Sequence, residues 1–168
     1  MVRLVTMRSG SVALLLVLVL TVACAGCRAD QGGSEPAFRR FRGNGVEGIV
    51  VIASPKLVPP TSGYREEGYF TPEDELIRRF EAGLAAHLRA SPPPQSPKLH
   101  AKYAPYHRRY VGMRINREKK LYASFYCPSF DGWERPDVTV ADGGDCFFHV
   151  VYDVTRGSYE SVSVNGVA

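Results

Sequence analysis

The stretch Tyr110-Val-Gly-Met-Arg-Ile115-Asn-Arg-Glu-Lys-Lys120-Leu-Tyr-Ala-Ser-Phe125-Tyr-Cys127 decides the fold class. Val111, Met113 and Ile115 alternate with Tyr110, Gly112 and Arg114; Leu121, Ala123, Phe125 and Cys127 alternate with Tyr122, Ser124 and Tyr126. Successive side chains of a strand point to opposite faces, so a period of two separates an apolar face from a polar one. The charged run Asn116 to Lys120 supplies the turn, and the whole predicts a β-hairpin. A second hairpin follows. In its first arm Cys146, Phe148, Val150, Tyr152 and Val154 share one face, and Phe147, His149, Val151 and Asp153 share the other. Thr155-Arg156-Gly157 turns the chain and Ser158 to Val164 returns it.

Upstream the period changes to 3.6. Leu76, Ile77, Phe80, Leu84 and Leu88 make one apolar stripe, with Arg78, Arg79, Glu81 and Arg89 off it. Thr71 suits the N-cap, Pro72 the first helical position, and Glu73 and Asp74 the positive end of the dipole. Ser91-Pro92-Pro93-Pro94 stops the helix. Before it, Gly48 to Ala53 is β-branched and predicts a strand, ended by Pro55, Pro59 and Pro60, with a loop to Gly68. The expected fold class is therefore α+β: one long helix packed on a four- to five-stranded antiparallel sheet. This order of elements resembles the cystatin-like and PepSY-like arrangement of a helix against an antiparallel meander.

The N-terminus carries a different signal. Arg3 and Arg8 precede an apolar run from Val12 to Val22, too short to span a bilayer, and then Ala23-Cys24-Ala25-Gly26-Cys27. A basic n-region, a short h-region and small residues before a cysteine are the features of an export signal. Ala25-Gly26-Cys27 resembles the bacterial lipobox. The resemblance implies cleavage before Cys27, lipid on its thiol, and a domain tethered to the cell envelope. Arg28 in the next position points to the outer membrane facing the periplasm in a two-membrane cell. The expected division is a signal peptide over 1–26, a flexible tether over 27–45 and a single α+β domain over 46–168. The tether is polar and Gly-rich at first, and ends in Phe38 and Phe41 set among Arg39, Arg40 and Arg42. Losing residues 1–26, with Arg3, Arg8 and no acid, reduces the formal charge from +4 to +2. So mild an excess gives little steering toward nucleic acid, and no nucleic-acid partner is expected.

Cys127 and Cys146 are the only cysteines outside the signal region. In an exported chain such a pair favours a structural disulfide over two buried thiols. Outside the signal region no CxxC or HxxxH spacing is present, and neither metal nor cofactor is expected. Asp142-Gly143-Gly144-Asp145 offers too few oxygens for a calcium site and reads as a tight turn. His149 and Asp153 share a face but stand about 13 Å apart along the strand, too far for a dyad. No nucleophile elbow, zinc-protease or phosphate-loop motif occurs.

One surface stands out. If the helix covers the apolar face, the other face collects Tyr110, Tyr122, Tyr126, Phe147, His149 and Tyr159. Aromatics with polar tips mark contact surfaces. The competing arrangement folds the strand near Ile49 and the Pro-rich loop over this face. Tyr69-Phe70-Thr71-Pro72, Asp142-Gly-Gly-Asp-Cys-Phe-Phe-x-Val-x-Tyr-Asp153 and Val164-Asn165-Gly166 resemble a group of small exported bacterial proteins of unknown function. That resemblance implies no site residues. The functional expectation is a lipid-anchored binding module whose partners are the membrane, through its lipid, and an envelope protein, peptide or polymer. The alternatives are a small hydrolase using His149 with Asp142 or Asp145, His107 being a more distant candidate, and a structural envelope subunit.

Overall fold

The hairpin at Tyr110–Cys127 forms, but it is the middle of a larger sheet. The structure is a computed structural model that describes residues 38–52, 66–135, 138 and 140–166. The elements run β1 (Phe38–Gly43), β2 (Val46–Val51), β3 (Glu66–Phe70), α1 (Asp74–Ala90), α2 (Leu99–Lys102), β4 (His107–Ile115), β5 (Glu118–Tyr126), a 3₁₀ turn at Gly144–Cys146, β6 (Phe147–Asp153) and β7 (Ser158–Val164). The signal peptide, Cys27 and the first part of the expected tether lie outside the described residues.

The expected α+β class with a four- to five-stranded antiparallel sheet is overturned. The described residues are mostly β, with a seven-stranded mixed sheet and one helix of seven residues or more. The strand order is β1-β2-β4-β5-β6-β7, and β3 pairs with β4 as well. Two local causes account for the difference. Asn44 and Gly45 both have positive φ, 53° and 75°, and close a tight hairpin that recruits Phe38–Gly43 as an edge strand. The tether expected through residue 45 therefore gives way to structure over 38–45. The second cause is the helix itself. The chain from β2 to β4 passes through α1, and a strand that returns after a helical crossover can lie parallel to its predecessor. β2 does so beside Arg108–Tyr110, while β3 takes the same edge of β4 further on, antiparallel to Gly112–Ile115.

The helix begins at Asp74, after an N-cap at Glu73, rather than at Pro72. Arg39 donates to the Pro72 carbonyl at 2.7 Å and to the Asp74 carboxylate at 2.5 Å, which holds Thr71–Glu73 extended before the first turn. Ile77, Phe80, Leu84 and Leu88 pack on Phe41, Val50, Tyr110, Leu121, Ala123, Phe125, Phe148, Val150 and Tyr152. Gly48 makes room for part of this packing. A β-carbon there would lie 2.8 Å from the Arg108 carbonyl oxygen and from the Tyr110 ring.

Tyr110 sits in that helix-side core, so the phase of β4 is the reverse of the expected one. Val111, Met113 and Ile115 form a separate buried cluster with Val51 on the opposite face. Both faces of the sheet are buried along β4, and an apolar residue there is not obliged to face the helix.

Cys127 and Cys146 are joined by a disulfide, with Cα atoms 4.8 Å apart. The Cys127 N–H donates to the Cys146 carbonyl at 2.8 Å, so the bridge closes the open end of the β5–β6 pair. A sequence separation of 19 gives about 3 kcal/mol of stabilisation on the chain-entropy model. Cys127→Ser combined with Cys146→Ser should lower the urea unfolding free energy by about that amount. An unchanged midpoint would show that the bridge contributes nothing.

Candidate functional site

Strand β4 opens with two arginines in succession, and a strand sends neighbours to opposite faces. Both are buried, Arg108 with 2% of its surface exposed and Arg109 with none. On the helix side, Arg108 donates through Nε to Glu81 at 3.3 Å, and through a terminal nitrogen to the carbonyls of Ala104 and Tyr106. Tyr110 donates its hydroxyl to the same Glu81 oxygen at 2.8 Å. Burial raises the Glu81 carboxyl, and Arg108 and Tyr110 oppose that rise. Burial also lifts the Tyr110 hydroxyl well above its usual range. The carboxylate of α1 is thus fastened to the sheet by two groups of β4.

On the far side, Arg109 lies over the Tyr126 ring at 5.0 Å and donates to the carbonyls of Arg135 at 2.8 Å and Val138 at 2.9 Å. This guanidinium holds the loop after Cys127 onto the sheet. Trp133 stacks on His107 at 4.4 Å and packs with Ile49 and Tyr126, and Phe38, Phe130, Val140 and Phe147 join the cluster. His107 also lies 3.4 Å from the Pro128 carbonyl through Nε2.

The six aromatic and histidine residues expected on one face are divided. Tyr110 faces α1. So does Tyr159, whose hydroxyl donates to the Phe80 carbonyl and whose ring stacks on His87 at 4.5 Å. Tyr126 and Phe147 pack with Trp133 and Ile49. Tyr122 and His149 stand half-buried, stacked at 5.2 Å. His149 Nδ1 is 3.2 Å from the Ser124 hydroxyl. Burial pushes the His149 imidazole down to about 4; a hydrogen bond with Asn165 opposes this and the Arg109 charge adds to it. Ser124 is 1% exposed, so the Ser–His contact faces the interior and not a substrate.

Of the two acids considered with His149, Asp145 has its carboxylate engaged elsewhere and Asp142 is tied through its main chain. Asp145 accepts from Ser96 at 2.9 Å and pairs with Lys102, which lowers its carboxyl, and its main-chain oxygen accepts from Tyr106. Asp142 forms an isolated bridge with Gly166. Gly143 and Gly144 take φ of 109° and 58°, as the tight-turn reading requires.

Glu81, expected off the apolar stripe, is buried instead, and the Lys120 cluster escaped the sequence reading. Glu81 lies four residues after Ile77 and three before Leu84, so helical spacing puts it on the buried stripe. Lys120 and Asp153 are direct cross-strand partners. The Lys120 ammonium meets Asp153 at 2.8 Å, Glu118 at 2.7 Å and Glu160 at 2.5 Å. The three carboxylates have oxygens within 4.8 Å of one another, spacing that suits a cation, and the ammonium is that cation. The Lys120 hydrogen bond, helped by the Arg156 and Thr155 amides, lowers the Asp153 carboxyl to about 2.

Open space lies nearby. A groove of about 470 Å³ is lined by Gln95, Gly144, Asp145, Val164, Asn165 and Gly166. Asn165 fixes one wall, donating its side-chain amide to the Val140 carbonyl at 2.5 Å. A second hollow of about 360 Å³ lies by the start of α1, between Phe70, Glu73, Leu76 and Lys119. No protein-family model, curated protein or solved structure matches the chain.

The His149 environment makes stability depend on pH with a definite sign. The folded state holds this imidazole neutral down to about 4, whereas the unfolded chain protonates it near 6.5. The unfolded state therefore binds the proton first, and stability falls as pH drops through that window. The unfolding free energy of the wild type relative to His149→Gln should fall by about 2 to 3 kcal/mol between pH 7.5 and pH 4.5. A difference that is constant with pH would contradict the buried neutral histidine.

Proposed function

We propose that this protein is a lipid-anchored binding module outside the cytoplasm, which uses its open groove to hold an envelope protein, peptide or polymer. The carrying observation is the groove of about 470 Å³ between Gln95, the Gly144–Asp145 turn and the end of β7. Its walls carry the exposed amide of Gln95, the main chain of Gly144 and Gly166, and the Asn165 amide and Asp145 carboxylate, which are held in place by Val140 and by Ser96 and Lys102. Such walls suit a ligand rich in hydrogen-bonding groups, as a peptide backbone or a sugar polymer is.

The rest of the molecule supports the same reading. Glu81, Arg108, Arg109, Lys120 and Asp153 are spent on contacts that hold layers or strands together. The Cys127–Cys146 bridge suits an oxidising compartment. Ala25-Gly26-Cys27 supplies the attachment point, and the resemblance to small exported bacterial proteins belongs to the same proposal. Among the described residues no helix is long and apolar enough to cross a membrane, so in this reading attachment rests on the lipid at Cys27.

The test uses the full chain in the envelope of an exporting bacterium. A photo-crosslinking residue at Gln95 should yield a discrete adduct, and one at Glu75, exposed on the helix, should not. Equal labelling at the two positions would contradict the groove. Cys27→Ser should shift the protein out of the membrane fraction; a variant that still takes up a fatty-acid analogue would overturn the anchor.

A further inference from the structure

The two edges of the sheet are built differently. At one edge β1 carries Arg39, Arg40 and Arg42 in four residues. Charged side chains on an edge deter a further strand, because a pairing neighbour would have to accommodate them. The other edge, β7, reads Ser158-Tyr-Glu-Ser-Val-Ser-Val164. It has no lysine, arginine or proline, and its acid, Glu160, is held by Lys120. Among the described residues β7 pairs only with β6.

The register shows which backbone groups this edge presents. Asn165 N–H donates to the Phe147 carbonyl, so Asn165 is turned toward β6. In an antiparallel pair the inward-turned residues alternate with outward-turned ones. Ser163 and Ser161, opposite His149 and Val151, are turned inward with Asn165, and Val162 and Val164 direct their N–H and C=O away from the sheet. Their side chains lean on the helix-side core and are half-buried, whereas Phe148 and Val150 across the ladder are fully buried. Among the described residues the edge is thus an unfilled ladder over Ser158–Val164, with an incomplete apolar row; beyond it Gly166 is already taken by Asp142 and Gly144.

We propose that β7 pairs with β7 of a second copy, antiparallel about a two-fold axis through Ser163, and continues the sheet across a dimer. This register sets Val162 against Val164 of the other copy and Ser163 against Ser163. Outward backbone then meets outward backbone, and apolar side chains meet apolar. Glu160 falls opposite Gly166, so like charges do not face each other. Centring the axis on Val162 would set Val164 against Glu160 instead. A two-fold contact uses the same surface twice and closes on itself, which limits the assembly to a dimer. The extended sheet then ends on both sides at the arginine-rich β1 and at β3, which shares that side of β4. The pairing does not depend on the lipid anchor, but it runs along Val164 to Gly166, which also line the groove, so a ligand seated there would compete with it.

Ser163→Cys in the full chain should form an intermolecular disulfide on oxidation of the membranes, running at twice the monomer mass without reductant. Ser161→Cys, on the same strand and face but opposite Asn165 in this register, should cross-link at least ten-fold less. Val162→Pro removes an outward N–H and leaves the β6 ladder intact. It should convert the detergent-extracted dimer to a monomer by light scattering, with the folded state checked by an unchanged circular-dichroism spectrum at 25 °C. A wild-type chain that stays monomeric, or equal cross-linking at positions 161 and 163, would overturn the proposal, as would a dimer that Val162→Pro leaves intact.

Discussion

Two adjacent guanidinium groups, buried on opposite faces of one strand, are the constraint to which the other layers answer. Taking an ion out of water costs several kcal/mol after relaxation, so a buried arginine persists only where its donors are met. Arg108 is met by the Glu81 carboxylate and two carbonyls before β4. Arg109 is met by two loop carbonyls and a tyrosine face. One arginine thus brings a helix down onto the sheet and the other brings a loop down onto its far side. The planar fork of arginine suits this work, since it satisfies two carbonyls from one side chain. Strand β4 lies at the centre of a three-layer arrangement because its second and third residues demand cover on both faces.

This cover explains why chemistry-bearing residues and an open site do not coincide. Ser124 and His149 meet within the sheet's far side, where burial keeps the imidazole neutral, and Lys120 pairs with three carboxylates at the other end of β5, which Arg156 also contacts. The side chains that appear catalytic in isolation are held in structural contacts. Among the described residues the open features include the groove beside the Gly144–Asp145 turn and the edge of β7, and both present main chain and small polar side chains. Such surfaces recognise extended polymers through backbone geometry, which is why binding is the function favoured here.

Several elements were legible in the sequence because their signal is local. The apolar stripe of α1, both hairpins and the cysteine pair each depend on a period or a spacing within one short segment. The Asn44-Gly45 hairpin carried an equally local signal, hidden by the polar, arginine-rich surroundings that made the region look like tether. The parallel pairing of β2 with β4 was out of reach, since no short-range pattern states which strand a crossover returns beside. The reversed phase of β4 has the same origin. Alternation tells which residues share a face, but not which face meets the helix, when both are buried. Assigning Val111, Met113 and Ile115 to the helix side left Tyr110 on the wrong face. The buried partner Glu81 was visible in principle, as an acid on an apolar stripe.

The direct test of the two-sided clamp is native-state hydrogen exchange on Arg109→Met and Arg108→Met. The amides of Arg135 and Val138 are hydrogen-bonded within the loop that Arg109 holds, and the α1 amides report the other layer. Arg109→Met should speed exchange at Arg135 and Val138 while leaving α1 protected. Arg108→Met, which leaves Glu81 buried without its cation, should lower protection throughout α1 and β4. Loop amides that keep their protection in Arg109→Met, or two variants with the same pattern of loss, would contradict the assignment of one layer to each arginine.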